Sequence, residues 1–519
     1  MSKKLFFVSI SLVGILILPT LSLGQTQTGQ AQAGQMQAGQ TQAPSLSQID
    51  CSQYTNTQEK LMCTYFNTLL QLYISLVQKL QAKYKQVQNI SSIPNSTYST
   101  SFNVWLKTIG GEKSDFINSI QQTSDGGYIA VGRTSSFGFD YDAFIVKLDS
   151  SGNISWSKTI GGTNYDVAYS VQQTSDGGYI VIGDITSFET LKSNILIVKL
   201  DSSGNILWSK EIEGKDSYSV SYIKQTSDGG YIISGGISRF DTGELNVLIV
   251  KLDSSGNISW SKTIGGENDD YALSVQQTSD GGYIFGGWTQ SFDARKRDAF
   301  IVKLDSSGNI SWSKTIGVIN YNNIKSIQQT LDGGYIALGS TSFDEAKRDA
   351  FIVKLDSSGN ISWSKTIGGE NDDYASFIQQ TLDGGYIIGG GTQSFGAGDD
   401  DAFIVKLDSS GNILWSKTIG GTNFDTAYSI QQTSDGGYII GGGTQSFGAG
   451  HDDVLIVKLD SLGNCGNCSF IKSVSTKINS ISTTLKSVSP QILPSSIIAS
   501  PSSLEVVYVF PIVNTYCPH

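Results

Sequence analysis

From residue 103 to residue 464 the apolar positions come in short runs separated by turn residues, and the same order of runs keeps returning. Asp-Gly-Gly-Tyr begins at Asp125, Asp176, Asp228, Asp280, Asp332, Asp383 and Asp435, at steps of 51, 52, 52, 52, 51 and 52. Four strand-like runs belong to each unit, as in residues 427–433 (AYSIQQT), 438–442 (YIIGG), 454–460 (VLIVKLD) and 413–419 (ILWSKTI). Ser-Asp-Gly-Gly joins the first two, its Asp-Gly step supplying the positive φ of a tight hairpin. Asp-Ser-Ser-Gly-Asn joins the last two, with glycine for a left-handed position. A four-stranded meander repeated seven times predicts an all-β fold, a seven-bladed β-propeller.

The fourth strands are marked by Trp105, Trp156, Trp208, Trp260, Trp312, Trp363 and Trp415, but the last unit runs past Asp460 into Cys465 without one. Trp105 stands ahead of the first complete unit. Residues 103–109 are therefore expected to complete blade seven beside residues 454–460, closing the ring and removing exposed edges. Near-continuous apolar runs such as AFIVKL fit sheets covered on both faces.

The blocks DAFIVKLDSSGNISWSKTIGG and YDVAYSVQQTSDGGYIVIGD resemble the bacterial and archaeal seven-bladed propeller repeats, and the YIIGG and Trp strands are similar to kelch units. The resemblance covers about residues 103–464 and implies the fold, in secreted or surface proteins; it implies little about activity, since one fold hosts many functions.

Outside the repeats the pattern changes. Lys3 and Lys4 precede an apolar run from Leu5 to Leu18 and the small residues Ser22 to Gly24, which reads as a signal peptide over residues 1–24 and places the mature chain outside the cytoplasm, secreted or at the cell surface. No later run reaches the length of a membrane-spanning helix. Residues 25–45 spell a Gln/Gly/Thr/Ala pentapeptide repeat with too little apolar surface to offset its ordering entropy, a disordered spacer. In residues 46–90, Met62, Phe66, Leu69, Tyr73, Leu76, Leu80 and Val87 recur at helical spacing. This helix either docks on the body or forms a coiled coil that makes a homo-oligomer. Residues 91–102 read as linker, and residues 465–519 as a Ser-rich tail: a strand-like extension, a stalk or an attachment segment.

Composition narrows the chemistry. Two histidines among 519 residues leave little for His-based catalysis or metal binding. The formal charge of −11 becomes −11 − 2 = −13 without Lys3 and Lys4, which argues against nucleic acid as a partner. Cys51, Cys63, Cys465, Cys468 and Cys517 are an odd number for an oxidising compartment. A structural bridge is expected of Cys465-x-x-Cys468 rather than a redox role, because it follows the repeats directly and does not open a helix.

Residues repeated in every blade read as architecture: the Lys of IVKL (Lys147 and its six equivalents), the Asp after its Leu, and the seven Trp residues. Candidate chemistry lies where repeats differ, on the face carrying the longer loops. After the second strand the blades carry Arg133, Asp184, Gly236, Trp288, Ser340, Gly391 and Gly443. Arg133, Asp184 and Trp288 are the candidate ligand-binding set, by stacking and charge-assisted hydrogen bonds. Asp115, Asp166, Asp270, Asp373 and Asp425 precede the first strands, and would ring the mouth of an axial channel. Acidic density at Asp269, Asp270, Asp372, Asp373, Asp399, Asp400, Asp401, Asp452 and Asp453 offers oxygen ligands for calcium, the one ion the sequence brings up; no other cofactor is expected. Arg295-Lys296-Arg297 and Lys347-Arg348 add a basic sector.

No catalytic Ser, Cys or His constellation is recognisable. The expectation is a secreted, non-enzymatic propeller that binds or scaffolds at the cell surface, with a surface polysaccharide or protein as ligand. The alternatives are a polysaccharide hydrolase or lyase, a quinoprotein-like dehydrogenase, and a structural subunit of a surface layer or filament. KLDSSGNILW resembles the Trp-bearing turn of quinoproteins, but their vicinal Cys pair is absent and their usual blade number is eight.

Overall fold

The computed structural model describes Asn67, which is helical, and residues 103–517 other than 139, 162–164, 188–191, 215, 293, 295, 318–320, 343–346, 467, 481–482, 489–490, 494–497, 502–504 and 509–511. The signal peptide, the spacer, the linker and the coiled-coil reading of residues 46–90 lie outside the described residues. No helix among the described residues is long and apolar enough to cross a membrane.

Seven antiparallel sheets form a seven-bladed β-propeller. Blade one is built from Asp115–Gln122, Tyr128–Thr134, Asp142–Leu148 and Ile154–Gly161, in meander order. The first strand of each blade is innermost, packing against the first and second strands of the blade before it; those of blade one pack against blade seven. Blade seven takes Asp425–Gln432, Tyr438–Thr444 and Asp453–Leu459 from the end of the repeats and Trp105–Gly110 from their start, with Trp105 opposite Lys458 and Ile109 opposite Val454. The core lies between blades: Ile284, Ala299 and Ile301 of blade four meet Ile324, Tyr335 and Phe351 of blade five in one buried cluster. Strands such as Asp401–Leu407 are buried at every position because both faces are covered.

Every sheet has five strands, one more than the repeat supplies. The fifth comes from the tail. Ile471–Ser473 pairs with the Trp strand of blade six, Lys477–Ser480 with blade five, Thr484–Ser487 with blade four, and Gln491–Leu493 with blade three. Ile498–Pro501, Glu505–Tyr508 and Ile512–Cys517 follow on blades two, one and seven. Of the three readings of the tail, the strand-like extension is the one found: a belt that runs backwards around the disc and covers the outer edge of each blade.

Three repeated contacts fix the blades. The Lys of IVKL is buried and pairs with the Asp of the Asp-Gly-Gly turn, as Lys303 does with Asp280 at 2.9 Å, tying the third strand to the first hairpin. Each Trp crosses to the next blade and meets the Tyr of its Asp-Gly-Gly-Tyr edge-on, as Trp312 does Tyr335 at 5.8 Å. The glycine of Asp-Ser-Ser-Gly-Asn adopts a positive φ over a Trp ring: at Gly308 (φ 80°) a Cβ would stand 3.0 Å from Trp260.

Cys465 departs from expectation. It is a free, buried thiol packed among Leu106, Leu455 and Leu459, and burial pushes its pKa up to about 12. Cys465 and Cys468 are not bridged to each other. The turn after the third strand carries Cys465 into the apolar edge of blade seven, which favours a neutral thiol.

Candidate binding site at the propeller axis

All seven first strands carry a bulge at the same place, where the pairing to the second strand skips one residue: Asn118, Tyr169, Ser221, Leu273, Lys325, Ser376 and Tyr428. A bulge leaves its extra residue unpaired and re-aims the side chain. These bulge positions, and the positions two residues before them, are where the otherwise repetitive first strand varies most. Phe116, Val167, Ser219, Tyr271, Asn323, Tyr374 and Thr426 fill the earlier positions, each directly opposite one residue of the second-strand set.

Arg133, Asp184 and Trp288 therefore lie within their second strands, not after them, and all three are half-buried. The glycines of the same set are explained by packing. Tyr271 lies over Gly236 of the blade before it, Phe116 over Gly443, and Tyr374 over Gly391, so close that a Cβ there would clash.

Arg133 donates to the Tyr165 hydroxyl at 2.7 Å and spreads its guanidinium over Phe116 and Tyr141, 4.9 and 5.2 Å from the ring centroids. Asp184 accepts the Val220 N–H at 3.0 Å, and burial pushes its carboxyl up to about 8. Tyr169 lies within electrostatic reach of both Asp184 and Arg133, and Tyr271 within reach of Asp184, burial raising both phenols. Ser219 and Ser221 donate to the Tyr271 hydroxyl, each at 3.1 Å. Tyr271 stacks on Trp288 at 6.2 Å, and the Arg297 guanidinium sits 3.7 Å from the Trp288 centroid. The three candidates come from blades one, two and four and do not touch one another. Tyr169 and Tyr271 join them into one aromatic and polar arc.

Across the axis, burial lowers the Lys325 pKa, its ammonium standing 5.6 Å from the Tyr374 ring. Tyr374 and Tyr428 continue the arc, the former donating to Thr426. Tyr169, Tyr271, Lys325, Tyr374 and Tyr428 went unrecognised in the sequence. Alignment of the seven first strands shows them, because they break an otherwise repeated pattern.

The acidic residues are used differently from the expectation. Like that of Asp166, the side chains of Asp115, Asp270, Asp373 and Asp425 are fully buried and do not ring a channel mouth. Each ties strand ends together: Asp373 accepts the Gly369 N–H at 2.6 Å, the Ser394 hydroxyl at 2.7 Å and the Thr392 hydroxyl. Asp401 and Asp453 are buried too and accept backbone N–H groups from Ala397 and Ala449. Asp269 accepts the Leu245 N–H, Asp372 the Arg348 N–H, and Asp452 the Ser114 hydroxyl. Asp400 is buried and Asp399 is exposed. Among the described residues no group of three or more acidic, His or Cys side chains is gathered to hold a metal ion. In the basic sector, Lys347 and Arg348 pair with Asp349 and Asp372, Lys296 lies over Tyr321, and Arg295 falls outside the described residues.

No family model and no curated protein matches the chain. Among solved structures it is similar in fold to Sqt1 from Chaetomium thermophilum, with TM-score 0.40 and 11% identity over 66% of this chain and 82% of that one. It is likewise similar to the Dos1 propeller, with TM-score 0.40 and 11% identity over 70% of this chain and 97% of that one.

Proposed function

We propose that the chain is a secreted, non-enzymatic propeller that binds a surface polysaccharide or protein ligand at the axial mouth on its long-loop face. One observation carries the reading: sevenfold repetition holds for the ion pairs, the Trp–Tyr contacts and the turns, and breaks at the bulge positions and their neighbours around the axis. Packing alone asks for the same residues seven times; Tyr169, Asp184, Tyr271, Trp288 and Lys325 on a symmetric frame answer to something asymmetric. Aromatic faces beside half-buried charges bind by stacking and charge-assisted hydrogen bonds. Lys3, Lys4 and the apolar run after them support export, and residues 46–90 would supply self-association. Retention of the purified chain on a panel of polysaccharides and envelope proteins, abolished by Trp288→Ala, is the expected result. Retention unchanged by Trp288→Ala and Asp184→Asn would reject the site.

Asp184 favours a second reading. A carboxyl that keeps its proton near neutrality can act as a general acid, so a polysaccharide-cleaving enzyme would use Asp184 in that role. Product formation by the wild type that disappears in Asp184→Asn while retention persists would establish it.

A further inference from the structure

Past the bulges, towards the face with the short turns, the first strands enclose a second chamber on the axis, a cavity of about 110 Å³. Its wall includes Gln121, Gln276, Gln328, Gln379, Gln431 and Lys224, and it contains no carboxylate. These six occupy one repeat position. The glutamines there have a shared task, for each accepts through Oε1 the backbone N–H of the blade that follows. Gln173 donates to Gln121, Gln329 to Gln276, Gln380 to Gln328, Gln432 to Gln379 and Gln122 to Gln431, at 2.7 to 2.9 Å. Gln172 does the same for Gln225. An amide whose oxygen is committed this way has only its NH2 left to offer.

Blade three interrupts the ring. Lys224 stands where the other six blades have glutamine, so the Gln277 N–H of blade four is the one N–H of this set that meets no side-chain oxygen. Lys224 forms no ion pair among the described residues; its ammonium lies 5.4 Å from the Tyr222 ring. One substitution in the repeat thus removes an acceptor, frees a backbone donor and adds a positive charge, in a chamber already lined by amide donors. The volume suits several waters or one small anion.

We propose that this chamber binds a small oxyanion, held by the Lys224 ammonium, the Gln277 N–H and the NH2 groups of the neighbouring glutamines. The site is separate from the axial mouth and does not depend on its ligand. Lys224→Gln tests it without endangering the fold, because it installs the residue the other six blades carry and gives Gln277 its acceptor. Titration of the purified full-length chain by calorimetry with inorganic phosphate, sulfate and chloride at matched ionic strength gives the readout. The expected result is oxyanion binding by the wild type that weakens at least about tenfold in Lys224→Gln, the loss of one charged hydrogen-bond partner. Equal affinity in the two proteins, or no phosphate or sulfate binding by the wild type, would overturn the proposal. Chloride binding tighter than either oxyanion would overturn the ligand class.

Discussion

Replacing Asp184 by Asn removes a carboxyl that folding makes harder to ionise. Burial pushes Asp184 up to about 8, against an ordinary value of 3.8, while Val220 N–H gives partial relief. Below about pH 4 the carboxyl is protonated in both folded and unfolded chains and contributes nothing to pH dependence. Between about pH 4 and 8 the unfolded chain releases the proton and the folded chain keeps it, so stability falls as pH rises. Above about pH 8 the deficit is complete and constant. A shift of about four units corresponds to at most about 6 kcal/mol, and the partial exposure of the side chain brings the expected figure to about 2–4 kcal/mol. Asn keeps an oxygen for Val220 N–H and has no charge to desolvate. Urea unfolding of wild type and Asp184→Asn from pH 4 to pH 8.5 measures the difference, in which the other buried carboxyls cancel. The variant should gain on the wild type by that amount as pH rises. A difference that stays flat, or moves the other way, would refute a buried, reluctant acid at the axis.

Three further perturbations test the frame. Gly308→Ala, at φ 80° over Trp260, should cost about 1–3 kcal/mol in thermal unfolding, since an alanine there is both strained and crowded. For Asp280, desolvation raises the pKa but is outweighed by hydrogen bonds from Lys303, Thr278 and Gly282, which together hold it at about 2. Its stabilisation is present above the unfolded value near 4 and lost as pH falls towards 2, so Lys303→Met should flatten that acid limb and cost about 1 kcal/mol at pH 7, the Asp being largely exposed. Ending the chain at residue 468 uncovers seven outer strand edges, and light scattering should show the truncated protein self-associating while circular dichroism still reports β-structure.

What the sequence made legible was whatever repeats. Seven copies of Asp-Gly-Gly-Tyr and of the Trp strand, and six of Ser-Ser-Gly-Asn with Ser-Leu-Gly-Asn as the seventh, expose strands, turns and packing anchors, because each copy does the same job in the same surroundings. The tail could be read as strand-like, but its path as a belt was illegible for the opposite reason: its strands are three to six residues long, follow no repeat and gain their structure only by pairing with blades far back in the chain. Local pattern also misjudged the carboxylates. Asp270 and Asp373 sit in acidic runs that read as a channel rim and as calcium ligands, and only the fold shows them turned inward onto backbone and hydroxyl donors. At the axis, Arg133, Asp184 and Trp288 stood out as departures from a repeat, but the residues joining them, Tyr169 and Tyr271, come from bulge and pre-bulge positions that no single-strand pattern reveals.

On the reading proposed above, the asymmetric axial mouth is the binding site and does no chemistry. The most direct measurement is retention of the purified chain on surface polysaccharides and envelope proteins, run beside Trp288→Ala and Asp184→Asn, with the same mixtures assayed for product and repeated with a calcium chelator. Retention without turnover that Trp288→Ala abolishes is the predicted result. Product formed by the wild type, or retention indifferent to both substitutions, would contradict it.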